Sequence, residues 1–268
     1  MIIYYLNNLY VNNLMTKIKV ALCMRGAVSS STMPSLHCGD LYNSKNYIDY
    51  IKCYKSIVKY IILPNSNDYE FDIFCHCWNT DLESKLSELY SPKKKLFEDN
   101  TAYNNEINEL ISSQLYGVNQ HDFGGISQTI STKKSIELKE EYEKDNNIKY
   151  DIVILYRYDV LLWNSMVLSE YKNLNDTVYV NAHWDCGGDF HFVMNNENSM
   201  LFKGLYDSIK LGNTYRVHYW IKIYVQDYMK VKMAMDSIQP GVHQEVYRKV
   251  EEYSINPGYI TREELNSI

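Results

Sequence analysis

The sequence is poor in the features that mark several large protein classes. No G-x-G-x-x-G follows the first apolar run, which weakens a dinucleotide-dependent dehydrogenase or a methyltransferase as the reading. Six cysteines, at positions 23, 38, 53, 75, 77 and 186, form no C-x-x-C pair. Cys75-His76-Cys77 resembles a metal cluster, but alternation along a strand sets His76 opposite both thiols and no second pair completes a tetrahedral site. Small buried residues of a core strand are the better reading, and a reducing compartment is the natural setting. Basic clusters are equally scarce. Lys93-Lys94-Lys95 is the largest, net charge is −6 and the pI is near 5.7, so a phosphate-backbone clamp for nucleic acid is not expected. No membrane span is expected either. The opening MIIYYLNNLYVNNL is broken by asparagines and lacks a basic n-region and a small-residue cleavage site. Residues 1–15 are expected to be a loosely ordered extension, since MTKIKVALCMRG from Met15 reads as a natural beginning.

What is present is ordinary globular chemistry. Hydrophobic residues make up 46% and charged residues 22% of a 268-residue chain, long enough to bury a substantial core. Lys17–Met24 is a β-branched run ending at Arg25-Gly26, and Phe71–Trp78 (FDIFCHCW) a second strand. Between them, Tyr47–Ile62 carries apolar residues at helical spacing up to Pro64. A helix at Asp81–Tyr90, a short strand at Lys94–Phe97, a helix from Asn104 and a long helix across Ser127–Lys144 follow. These lead to the strand in YDIVILYRYDVLLW, Tyr150–Trp163. Strands alternating with helices predict an α/β fold, a Rossmann-like, mixed, mostly parallel sheet flanked by helices. Later come strands at Val178–Asn181 and Asp189–Asn195, a helix over Asn198–Lys210, apolar segments through Tyr215–Met235 and a final helix over His243–Tyr253. No internal repeat and no inert linker interrupts residues 16–268, so one continuous domain is expected.

The candidate site follows from one oddity. Arg157 and Asp159 end a run that otherwise reads as buried, and their i, i+2 spacing on a strand aims both at one place. Ligands in such sheets bind beyond the carboxyl ends of the strands, where Arg25-Gly26 also lies. A carboxylate there can meet a diphosphate through a divalent ion, with arginine sharing the charge. An ion pair that merely caps the strand is the competing explanation.

The order of KVALCMRG, FDIFCHCW, YDIVILYRYDV and DFHFVMNNENSMLFKGLY resembles a group of bacterial and large-virus glycosyltransferases of the GT-A type, over roughly Lys17–Tyr206. The resemblance implies a nucleoside diphosphate sugar donor, most simply UDP-linked, a glycan or glycosylated acceptor, and a divalent cofactor, Mn2+ or Mg2+. It also implies a nucleotide-binding half at about 16–163 and an acceptor half at about 164–268, and a cytoplasmic setting, the host's for a viral protein. Arg157 stands where the usual D-x-D has its first aspartate, which bears on metal dependence. Carried over by position, Arg25, Gly26, Arg157 and Asp159 would meet the nucleotide diphosphate, and Asp159 and His243 the metal. His76 and Trp78 are candidate nucleotide or sugar contacts, with core packing as the alternative. Asp189, after Gly187-Gly188, is the candidate general base, with Asp185 and Glu245 as rivals and His183, Trp184 and His191 as candidate sugar contacts. A catalytically silent nucleotide-sugar or glycan binding module, such as a virion component, is the competing function.

Overall fold

The computed structural model describes residues 16–28, 47–48, 50–113, 123–181, 188–211, 217–238, 244–246 and 248–249. The strands, in chain order, are β1 Ile18–Arg25, β2 Tyr47–Ile48, β3 Tyr69–Cys77, β4 Lys94–Phe97, β5 Ile152–Arg157, β6 Val160–Leu162, β7 Thr177–Val180, β8 His191–Asn195, β9 Lys232–Met235, β10 Gln244–Val246 and β11 Arg248–Lys249. Seven of them form one sheet in the order β4-β3-β1-β5-β8-β7-β9. From β4 to β5 all pairs are parallel, β8 runs antiparallel to both neighbours, and β7 and β9 are again parallel. This is the mixed, mostly parallel α/β sheet that the sequence predicts.

The central strands are buried on both faces, which is why they read as unbroken apolar runs. Val20, Leu22 and Met24 of β1, with Ile152, Ile154 and Tyr156 of β5, face a core closed by Cys53, Ile57 and Ile61 of the Tyr50–Asn65 segment and by Leu86 and Tyr90. Ala21 and Cys23, with Val153 and Leu155, face the other core. That second face is covered by the Phe123–Asn146 helix and by the helices Asn196–Phe202, Leu205–Lys210 and Val217–Ile223. Continuing each alternation places Arg25 and Arg157 on the second face, at the carboxyl ends of β1 and β5.

Three elements differ from the sequence expectation. Pro64 does not stop the first helix. Tyr50–Ile57 widens into a π-turn at Val58–Ile62, where the Leu63 N–H reaches back to the Val58 carbonyl, and the helix ends at Asn65. The wider turn tolerates a residue that has no N–H of its own. The Asn198–Lys210 helix is two, Asn196–Phe202 and Leu205–Lys210, and the Tyr224 hydroxyl donates to the Leu201 carbonyl at the break. The expected final helix is replaced, in its described part, by β10, which pairs antiparallel with β6, and by β11, which pairs antiparallel with β2. Backbone pairing with an otherwise bare strand outweighs a weak helical pattern.

Candidate active site

Two arginines open the site. Arg25 and Arg157 are register partners on adjacent parallel strands, so their Cα atoms sit roughly 4.8 Å apart with side chains on one face. Like charges so placed repel, and two carboxylates compensate. Arg157 Nε and Nη2 donate to the two oxygens of Asp159 at 2.8 and 2.6 Å, and Nη1 donates to Asp189 Oδ2 at 3.0 Å. The guanidinium also lies over the Phe190 ring, 5.4 Å from its centroid. Asp159 is not a strand residue. It sits in the turn between β5 and β6 and reaches back to Arg157, so the turn, rather than strand alternation, brings the pair together. Tyr158 between them is fully buried against Tyr90 on the opposite face.

Arg25 is held differently. Its Nη2 donates to the Asp189 backbone carbonyl, and its guanidinium lies 5.4 Å from the Phe192 ring centroid. Only 1% of the residue is exposed, and its Nε and Nη1 are buried without a hydrogen-bond partner. Burial pulls its pKa down to about 10, against the nearby Asp189 charge that holds it up, so it stays cationic at neutral pH. Each buried N–H left without an acceptor costs about 1–3 kcal/mol, and more when charged.

Asp189 begins the approach to β8 and is 7% exposed. Burial pushes its carboxyl up, but Arg157, the neighbouring His218 and Arg25 together hold it well below the usual carboxylate range. His218 Nε2 lies 3.4 Å from Asp189 Oδ1, and its side chain is 36% exposed. Sequence reading missed His218. It sits on the Val217–Ile223 helix one place off the apolar positions Val217, Trp220 and Ile221, and nothing in a single sequence separates it from a surface histidine. Gly188 packs against Asn181 just before Asp189, where a Cβ would lie 1.9 Å from Asn181 Nδ2. Asn181 Oδ1 in turn accepts from the Phe190 N–H.

Gly26 ends β1 at φ +103, a conformation that side chains rarely adopt. Both of its peptide groups are taken: the carbonyl accepts from Trp78 N and the N–H donates to Ser131 Oγ at 2.7 Å. Ser131 also bonds His76 Nδ1 at 2.7 Å, and His76 Nε2 bonds Glu98 at 3.0 Å. Burial lowers the His76 pKa, against the raising pull of Glu98. With neutral imidazole, Ser131 accepts from Gly26 and donates to Nδ1, and Nε2–H donates to Glu98. His76 is fully buried, so it bears on the Gly26 turn through Ser131 instead of presenting itself to a nucleotide. Trp78 is likewise interior, packed with Ile107, Ile126, Ile130 and Tyr206. His191 lies on the other face of the sheet, buried against Tyr156 and bonded to Asp236 at 2.6 Å. It is therefore core rather than a sugar-stacking surface.

The structure thus gathers Arg25, Gly26, Arg157, Asp159 and Asp189 at the carboxyl ends of β1 and β5 and sets His76, Trp78 and His191 apart from them. Asp185, His183, Trp184 and His243 lie outside the described residues, as do residues 1–15, and for Glu245 only the backbone pairing with Leu161 is described. Among the described residues no group of three or more His, Cys, Asp and Glu side chains is placed to hold a metal ion, and no helix is long and apolar enough to cross a membrane.

No protein-family model matches the chain, and no curated protein does. Among solved structures, the chain is similar to a candidate nucleotide-diphospho-sugar transferase from Desulfovibrio desulfuricans G20, with a TM-score of 0.44 and 10% identity over 82% of this chain and 80% of that one. It is also similar to mouse xyloside xylosyltransferase 1 in its apo form, with a TM-score of 0.43 and 8% identity over 84% of this chain and 87% of that one.

Proposed function

We propose that the chain is a glycosyltransferase that binds a nucleoside diphosphate sugar at the carboxyl ends of β1 and β5 and transfers the sugar to a hydroxyl of a glycan or glycosylated acceptor. The observation that carries this reading is Arg25: a buried guanidinium with two nitrogens lacking acceptors, beside a second arginine, at the edge where parallel sheets take ligands. Diphosphate oxygens are the acceptors such donors fit. The sequence resemblance supplies the sugar nucleotide, with UDP the first nucleotide to try.

The sequence expectation made Asp189 the general base. Its depressed pKa and its bond to Arg157 suit that task poorly, because a base must take a proton near working pH. We assign proton uptake to the Asp189–His218 pair, in which the more exposed imidazole receives the proton and the carboxylate balances its charge. Asp159 is the expected metal ligand. Both of its oxygens accept from Arg157, at 2.8 and 2.6 Å, so an ion bound to either would sit beside a fixed guanidinium. Among the described residues the donor set does not fit a divalent ion.

The test is a thermal-shift panel of nucleoside diphosphates, followed by assay of nucleoside diphosphate release from the matching sugar nucleotides with glycan acceptors. A melting point raised by one nucleotide and acceptor-dependent release are the expected results. Binding without release would make the chain a silent binding module, and binding of none would remove the reading.

A further inference from the structure

We infer that the Arg25–Arg157 guanidinium pair does the work of a divalent cation, so that this site holds and releases a nucleoside diphosphate without metal; the inference rests on the function proposed above. Three independent features support it. Arg157 occupies both oxygens of the carboxylate best placed to bind an ion, in a side-on bidentate pair. Arg25, one strand away in register, is cationic, buried and unsatisfied at Nε and Nη1. Among the described residues the two arginines and the two aspartates cancel formally, so their fixed charge leaves no excess of carboxylates for an ion to neutralise. A site built to capture a divalent ion has the opposite balance, with surplus carboxylate oxygens and no cation among them.

In the transfer, the acceptor oxygen forms a bond to the anomeric carbon while the bond from that carbon to the diphosphate oxygen breaks. The electron pair leaves on the diphosphate, and the acceptor's proton passes to the Asp189–His218 pair. The new negative charge on the leaving oxygen is what the two guanidinium groups at this strand end would stabilise. Arg25 then gains the acceptors it lacks in the free protein. Arg157 keeps Asp159 as its counter-charge throughout, which holds its guanidinium plane fixed.

UDP binding to the full chain, measured by titration calorimetry in EDTA and in excess manganese, tests this directly. Dissociation constants within about twofold of each other are expected. Arg157→Asp, which sets a second carboxylate beside Asp159, should bind UDP poorly in EDTA and recover with manganese. In case that variant does not fold, Asp159→Asn serves, since an amide keeps a hydrogen bond to Arg157 but is a poor ligand for a hard cation; whatever its affinity for UDP, the dissociation constants in EDTA and in manganese should agree within about twofold. Wild-type binding that appears only with manganese and is lost in Asp159→Asn would overturn the inference while leaving the glycosyltransferase reading standing. Failure of every nucleoside diphosphate in either buffer would remove both.

Discussion

Among the described residues two basic side chains, Arg25 and Lys139, are almost wholly buried, and they are treated in opposite ways. Lys139, on the Phe123–Asn146 helix, has a side chain with no exposure, and every direction of its ammonium is met: Glu143 Oε2 at 3.2 Å, Ser199 Oγ at 3.3 Å, and Asn196 Oδ1. The other oxygen of Glu143 accepts from Tyr150 N at 3.0 Å, so the pair ties the helix both to Asn196–Phe202 and to the start of β5. Arg25 is as deeply buried, yet among the described residues it has a single protein acceptor, and two of its nitrogens are orphaned. A satisfied buried charge holds structure together. An unsatisfied one at a strand end marks where a partner from outside belongs.

The largest effect this contrast predicts is at the satisfied site. Lys139→Met should cost about 3–5 kcal/mol in chemical denaturation, because it leaves the buried Glu143 carboxylate with the Tyr150 N–H and only the exposed Lys149, 3.9 Å away, as counter-charge. Nucleotide binding measured below the denaturation midpoint should be unchanged. A loss under 1 kcal/mol would mean that the two clusters do not differ as described. A smaller effect sharpens the comparison from the carboxylate side. Asp189 has a folded-state pKa below its unfolded value, so the stability it contributes is complete above about pH 4 and is lost as pH falls towards the folded value. The stability difference between wild type and Asp189→Asn should therefore shrink below about pH 4 and stay flat above it. A difference that persists unchanged into acid would show that the carboxylate's charge is not what Arg157 and His218 hold.

Much of the sheet was legible because burial on both faces writes itself as apolar runs, as in KVALCM and IVILY. Arg157 and Asp159 were legible for the converse reason, being charges in an apolar run. Their geometry was legible only in part. The i, i+2 spacing put them together, but the contact is made by a turn after β5, and a turn cannot be told from a continuing strand when Val160–Leu162 resumes the apolar pattern. His76 and Trp78 read as site residues since they share a strand end with the site, while long-range partners, Ser131 and Glu98 for one and Ile126 and Tyr206 for the other, draw them into the interior. Those partners lie 22 to 128 positions away in sequence, and no local pattern encodes them. His218 was invisible on the same ground, since its meaning comes from Asp189, 29 residues earlier.

The most direct test of the contrast between the two cations is Arg25→Met, scored for stability and for UDP binding on the same preparation. Methionine keeps the packing on Phe192 while removing the charge and both orphaned donors. Loss of the bond to the Asp189 carbonyl is offset by relief of those donors, so stability should stay within about 1 kcal/mol of wild type. UDP affinity should fall by roughly tenfold to a hundredfold, the range for removing hydrogen bonds to a charged group. Destabilisation by several kcal/mol with UDP affinity intact would contradict the account, making Arg25 a structural residue like Lys139 rather than the ligand's anchor.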